Sequence, residues 1–398
     1  MEKIKILFVC MTDSIHVVKY MRVFENDERF DVRLFPVYFT TPHKMFTKDV
    51  NVVDIYHINK LIKFLSPKYM MKCKLYNPII NSIIPLLRKS TDVNVFENKL
   101  FEKKLYKEIL KFKPDYIHSM EFQHASYMVD NVRNEILNGE YKFPRWIVSN
   151  WGSDIYLYQH IPRHLSKIKC ILNNCNDYIS ECERDVNIAK RLGLHEDKIK
   201  LPIIPNSGWF HNNMGGYIPN NERKYIIVKG YQGWSGRSFN AIEAIKNYNH
   251  DILKDYTIIL YSCSDDVKLL MNYYGSKYNI NYKIVPNDTD NETLINYFKN
   301  AKLYIGLGIS DGISTSLIEA MGCGAIPIQS NTSCANEWIT NTRNGFIVNP
   351  YEIGCITSII ELVLKNKCLN KICLQNIDMI NNKLNKEKIE NIILKRYL

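Results

Sequence analysis

The chain has no uninterrupted apolar run near the roughly 20 residues that a bilayer-spanning helix requires. It also has no CxxC pair, no internal repeat and no low-complexity tract. The first absence excludes a helical membrane protein of ordinary design. The second removes the spacing typical of zinc and dithiol redox sites, so the eleven cysteines read as structural residues in a reducing cytoplasm. The apolar start "MEKIKILFVCMTDS" has no small-residue cleavage site and reads as a first strand rather than a signal peptide.

What is present is ordinary globular composition, 46% hydrophobic and 23% charged, on a chain of 398 residues. A single core rarely grows past about 250–300 residues, which predicts two domains. The formal charge of +11 gives a basic surface suited to nucleic acid, an anionic membrane leaflet or phosphorylated substrates, and charge alone does not choose among them. "IKILFVC", "DVRLFPVYF", "PDYIHSM" and "RWIVSNWGSDI" are apolar strands that run into polar residues and then helical patterns. Residues 201–220, rich in Pro, Gly and Asn, read as a linker. Beyond it the alternation restarts with "KYIIVKG", "YTIILYS", "YKIVP", "LYIGLG" and "AIPIQ". The expectation is an α/β protein of two doubly wound Rossmann-like domains facing across a cleft, 1–205 and 206–380. A C-terminal helix, 381–398, is expected to pack back on the first domain. In such sheets ligands sit at the carboxyl ends of the strands.

The stretch "SDGISTSLIEAMGCGAIPI", from Ser310 to Ile328, carries the most chemistry. Asp311 and Glu319 are eight residues apart, roughly 12 Å along a helix, too far to share a proton or a metal. They suit the two ends of an elongated polar ligand, Asp311 bonding hydroxyls and Glu319 a ribose diol. The N–H groups of Gly312, Ile313 and Ser314, with Thr315 beyond, would favour a phosphate between them. A plainer arrangement also fits, with Asp311 as helix cap and Glu319 solvated.

Asp311-x7-Glu319 followed by "EAMGCGAIPI" resembles the acidic pair and trailing motif of the retaining family 4 (group 1) glycosyltransferases of GT-B fold. Aspartate stands here where that family has its first glutamate. "DSIHVVKYM" is similar to the family's first loop, with Ser14 and His16 matching. "PDYIHSMEFQH" resembles a strand end in which His118 and Glu121 match and Met120 replaces a histidine. "NWGSDIY" resembles a "HGSDI" segment and brings in Asp154, and "IIPNSG" is similar to the family linker.

The resemblance implies a retaining, metal-independent hexosyltransferase that uses a nucleotide diphosphate sugar as donor substrate, with no other cofactor and no metal ligands. His118, Lys229, Arg237 and Asp311 would serve catalysis. Gly230, Val285, Gly312 to Thr315 and Glu319 would bind the nucleotide, and Ser14, His16, Glu121 and Asp154 the acceptor. The acceptor implied is a glycan or lipid-linked glycan in bacterial surface polysaccharide biosynthesis, not nucleic acid. Two alternatives are a catalytically silent GT-B protein that binds glycan or a partner enzyme, and a sugar-nucleotide epimerase of the same fold. Asp288 and Asp290 form a DxD pair, read as a helix cap before Asn291 rather than a metal site. Residues 58–90 hold seven Lys or Arg and no acid, interleaved with apolar residues. That pattern fits a peripheral helix on anionic membrane at the inner face of the plasma membrane, or a solvated basic face.

Overall fold

The computed structural model describes residues 2–40, 42–46, 50–53, 95–137, 142–205, 217–248 and 250–398. The basic 58–90 segment and most of the expected linker lie outside the described residues. The chain forms two compact units, Met1–Ser207 with Glu390–Leu398, and Gly208–Ile389. No helix among the described residues is long and apolar enough to cross a membrane.

In the first unit, strands β1 (Ile4–Cys10), β2 (Phe30–Pro36), β3 (Asn51–Val52), β4 (Tyr116–Met120), β5 (Arg145–Ser149) and β6 (Asp177–Ile179) form one parallel sheet. Its order is β3-β2-β1-β4-β5-β6. Helices α1 (Ile15–Met21), α2 (Lys99–Phe112), α3 (Tyr127–Leu137), α4 (Pro162–Asn174) and α5 (Glu183–Arg191) accompany it. Parallel strands need crossover connections that cover both faces, and so their runs are apolar throughout. Ile6 to Cys10 of β1 are accordingly fully buried.

The second unit repeats the plan with β7 (Tyr225–Lys229), β8 (Thr257–Tyr261), β9 (Tyr282–Ile284), β10 (Ala301–Gly306), β11 (Ile326–Ser330) and β12 (Phe346–Val348). The order is β12-β11-β10-β7-β8-β9, again all parallel. Its helices are α6 (Ser238–Lys246), α7 (His250–Leu253), α8 (Asp265–Tyr278), α9 (Asn291–Lys299), α10 (Thr315–Gly322), α11 (Ile353–Lys365) and α12 (Asn370–Lys383); α13 (Lys386–Lys395) begins in this unit and ends in the first. Segment 381–398 is therefore not a single helix. Helix α12 ends at Lys383, and Asn385 opens α13 by accepting a side-chain hydrogen bond from the Lys388 N–H at 3.0 Å.

The last residues close the first unit's core. Tyr397 lies within ring-contact distance of Phe8, Phe24, Tyr116 and His118. His118, on β4, is wholly buried; its Nδ1 meets the Tyr397 hydroxyl at 2.5 Å and its Nε2 meets Ser149 Oγ at 2.6 Å. Burial, then the Arg396 charge, lower the His118 pKa to about 3. The tyrosine hydroxyl also reaches Tyr20, 3.3 Å away.

Tyr397→Phe should cost about 1–3 kcal/mol, because a buried ring nitrogen loses its partner while the ring packing stays; urea unfolding measures it. The sign of the pH effect follows from the depressed histidine pKa. Unfolded His118 takes up a proton near its ordinary 6.5 and folded His118 does not, so its contribution is full above 6.5 and declines as pH falls toward 3. Wild type should lose more stability than His118→Asn across that window.

Candidate functional site

In the second unit β7 lies between β10 and β8, so loops leave the carboxyl ends of neighbouring strands toward opposite faces. The loop after β7, "GYQGWSGR", turns back over the sheet and bridges Gly236 to Gly308 beyond β10. Arg237 N–H donates to Leu307 carbonyl oxygen at 3.1 Å, and Ile309 N–H to that of Ser235 at 2.8 Å. A Cβ on Gly236 would stand 2.0 Å from the Tyr231 carbonyl oxygen, so no side chain fits there. Sequence reading passed over Gly236 and Gly308, although the glycine spacing of the loop was a visible signal.

Lys229 ends β7 half-buried, with no hydrogen bond or ion pair among the described residues. Such an ammonium is ready for an anionic ligand. Arg237 is more committed than expected. Its Nε donates to the Tyr351 hydroxyl at 3.1 Å, and its Nη1 to the carbonyl oxygens of Gly233, Trp234 and Gly236 at 3.2, 3.3 and 2.5 Å. Nη2 alone is uncommitted among the described residues.

Gly230 differs from its expected ligand role. Its N–H donates to Tyr261 and its carbonyl accepts from Ser264, and a Cβ there would lie 2.3 Å from Cys263 Sγ. It lets the ends of β7 and β8 pack together. Val285, just past β9, is buried, and its N–H donates to the Leu260 carbonyl oxygen at 2.7 Å.

The helix of the acidic pair starts later than expected, so that Glu319 lies on it and Asp311 lies ahead of it. Ser314 keeps extended angles (φ −68°, ψ 116°) as the cap residue and α10 begins at Thr315. The opening turn is thus Thr315 to Leu317, while Gly312 and Ile313 form the buried lead-in, with Gly312 carbonyl oxygen bonded to Cys334 N–H. Asp311, half-buried, is three residues ahead of the cap and does not cap the helix. Ser314 Oγ makes no capping bond and is buried without a hydrogen-bond partner among the described residues. Glu319 is buried on α10 and its Oε1 accepts from Asn291 Nδ2 at 3.1 Å, a partner on α9 that sequence reading had not found. Asp290 caps α9 through Thr293 N–H at 2.8 Å and Thr293 Oγ1 at 2.9 Å, so its carboxylate is occupied as a cap.

In the first unit, Ser14 caps α1 by accepting from His16 N–H at 3.3 Å. The His16 ring meets Trp151 edge-on with centroids 6.0 Å apart. Glu121 follows β4 at a φ of 89° and caps a single π-helical turn, Phe122–Ser126, with its Oε1 accepting from His124 and Ala125 N–H groups at 2.7 and 2.5 Å. A non-glycine residue held there stores strain of the kind that clusters at functional sites. Asp154 Oδ2 accepts from Trp151 N–H at 2.8 Å and Phe122 N–H at 3.0 Å. Burial, then the charge of Glu121, push the Asp154 carboxyl well above the usual carboxylate range, against the two N–H groups. His16, Glu121 and Asp154 are thus brought together. His118 is not with them: with no exposure and both nitrogens engaged it cannot orient a sugar, and it serves as an internal joint instead.

Residues 221–379 match the family model of the glycosyl transferases group 1. No curated protein matches the chain in sequence. Among solved structures, the chain is similar to HepE from Anabaena in complex with UDP and glucose, at 13% identity over 99% of both chains and a TM-score of 0.68. It is similar to sucrose-phosphate synthase from Thermosynechococcus elongatus at 14% identity, over 99% of this chain and 98% of that one, with a TM-score of 0.69. The lipopolysaccharide outer core galactosyltransferase WaaB aligns at 12% identity over 99% and 100%, with a TM-score of 0.63. The chain thus resembles the group 1 glycosyltransferases, through the family model over its second unit and through fold over its whole length, and the fold is GT-B.

Gly236→Ala tests the loop on which this site rests. The added Cβ meets backbone, which cannot move aside, so the Gly236–Gly308 bridge should open. Binding of nucleoside diphosphate, followed by calorimetry, should weaken at least about tenfold, a loss of roughly 1.4 kcal/mol. Unchanged affinity would mean that the bridge does not shape the site.

Proposed function

We propose that the protein is a retaining glycosyltransferase that moves a sugar from a nucleotide diphosphate donor to a hydroxyl of a glycan or lipid-linked glycan, in bacterial surface polysaccharide biosynthesis. The observation that carries this reading is the switch-point site of the second unit, which lies within the segment matched by the family model. There Lys229 at the end of β7, without an ion-pair partner among the described residues, joins the opening turn of α10 and the Asn291-braced Glu319 in one unit. The UDP and glucose bound to the related HepE support a nucleotide sugar as donor.

In this reading Glu319 accepts the two ribose hydroxyls, with Asn291 fixing its carboxylate. Lys229 and the α10 N-terminus meet the diphosphate, whose negative charge grows as the bond to the sugar breaks. Asp311 contacts the sugar. The acceptor hydroxyl attacks from the face that the leaving group departs, through an ion pair, and the donor phosphate takes its proton. Arg237 contributes mainly by holding the "GYQGWSGR" loop through its bonds to loop carbonyls. No divalent ion is required at the diphosphate, since cations and backbone dipoles supply the positive potential. The protein works in the cytoplasm at the inner face of the plasma membrane.

The first test is a thermal-shift screen of nucleotide sugars, in which a ligand at about 100 times its Kd adds about 2.7 kcal/mol of stability. Transfer from the donor so found should persist in excess EDTA, and NMR of the product should show the donor's anomeric configuration. Glu319→Gln should weaken nucleoside diphosphate binding about tenfold to a hundredfold, as a charge-assisted acceptor becomes neutral. Asp311→Asn should leave that binding intact and lower kcat for transfer. Metal-dependent transfer, or an inverted product, would overturn the mechanism.

A further inference from the structure

In the second unit a set of polar side chains is buried together near the start of α10. Gly306 on β10 pairs with Gln329 on β11, so Tyr304, Gly306 and Gln329 share one face of the sheet. A Cβ on Gly306 would stand 2.2 Å from the Tyr304 hydroxyl oxygen and 2.6 Å from Gln329 Oε1, so both oxygens lean over the bare glycine. They do not bond each other. Burial pushes the Tyr304 hydroxyl pKa up, and the hydroxyls of Ser314 and Tyr261 are near enough to oppose the rise. The hydroxyl oxygens of Tyr261, Tyr304 and Ser314 and the amide Oε1 of Gln329 are nonetheless all without a hydrogen-bond partner among the described residues. Each of the four residues is no more than 4% exposed.

Buried polar atoms in native proteins are nearly always bonded, so four such oxygens gathered at Tyr304 mark the place of a small molecule that both donates and accepts. Water fits, because hydroxyls need either partner, an amide oxygen needs a donor, and the missing Cβ of Gly306 leaves room. Ser314 supplies a second argument. Serine is among the best helix caps because its oxygen accepts an N–H of the first turn, and Ser314 already has the extended angles of a cap. Its oxygen makes no capping bond. A hydrogen bond on the inner side, where Tyr304 lies, must outweigh that gain.

We propose that Tyr304, Ser314 and Gln329 hold one internal water molecule, and that this water keeps the Ser314 hydroxyl off the start of α10 so that the N–H groups of that turn stay open to an anionic ligand. Tyr304 and Gln329 are then positioning residues, which act on the ligand only through Ser314. A capping hydroxyl and a phosphate oxygen would accept from the same N–H groups, so each excludes the other. The water site stands on the buried oxygens alone. The identity of the anion, a nucleoside diphosphate, rests on the glycosyltransferase reading.

A high-resolution crystal structure of the full chain without nucleotide should show a water within about 2.6–3.2 Å of the Tyr304 hydroxyl, Ser314 Oγ and Gln329 Oε1. A direct bond from Tyr304 to Gln329, a Ser314 Oγ that accepts from an α10 N–H, or no density at that point overturns the proposal. The second measurement uses the double variant Tyr304→Phe, Gln329→Leu, which removes two of the water's partners and keeps the packing, so that Ser314 turns to cap α10. Calorimetry should then show nucleoside diphosphate binding about threefold to thirtyfold weaker, the equivalent of one cap bond. Adding Ser314→Ala removes the competing hydroxyl and should restore affinity to within about twofold of wild type, a recovery that damage to the core would not show. Wild-type affinity in the double variant, or no recovery in the triple, overturns the positioning role. If wild type binds no nucleoside diphosphate, the donor reading fails, and the crystal structure still decides the water and the direction of the Ser314 hydroxyl.

Discussion

The second unit depends on β7 pairing in parallel with β10 on one side and β8 on the other. That order sends the connections to opposite faces of the sheet and leaves the carboxyl end of β7 uncovered by its own crossover helix. The loop after β7 lies close across β10, and backbone bonds at Arg237, Ile309, Gly236 and Gly308 hold it there. Because those contacts are backbone to backbone, they tolerate glycine where any Cβ would collide. The side chains proposed to meet the donor, Lys229 and Glu319, are held on regular elements, and Asn291 on α9 braces the second.

The same plan serves the first unit with different chemistry. Strand β4 carries its histidine inward, where Tyr397 and Ser149 occupy both ring nitrogens, and turns its glutamate at the strand's end into a strained backbone position. The cost of that strain, of order 1–3 kcal/mol, is offset by the two N–H bonds that Glu121 accepts in capping the π-helical turn. Three residues separate the buried joint at His118 from the glutamate at the strand's end. His118 at β4 register position Phe8 lies in the middle of the sheet, whereas Glu121 lies just beyond it.

The alternation of apolar runs and helical patterns was enough to read two doubly wound sheets, because a parallel strand buried on both faces cannot hide its composition. The helix that carries Glu319 was equally legible, although only Glu319 of the acidic pair lies on it. Other features were not legible for local reasons. The start of α10 depends on Ser314 remaining extended, a backbone choice that its hydroxyl, without a capping bond, does not announce. The Glu319–Asn291 contact joins residues 28 apart, and the Arg237 bond to Tyr351 joins residues 114 apart.

By itself the sequence determined the strand and helix order, the two-domain division, the family resemblance and the presence of a carboxylate at each end of the "SDGISTSLIEAMG" stretch. All of these follow from local periodicity and spacing. The tertiary structure alone decided which candidates could touch a ligand. It buried His118 under Tyr397, engaged Arg237 with its own loop, turned Gly230 into a packing residue, and brought Glu121 and Asp154 from two strand ends onto neighbouring backbone N–H groups. Those outcomes rest on contacts between residues far apart in the chain, and burial and hydrogen-bond partners are properties of such contacts rather than of any single stretch of residues.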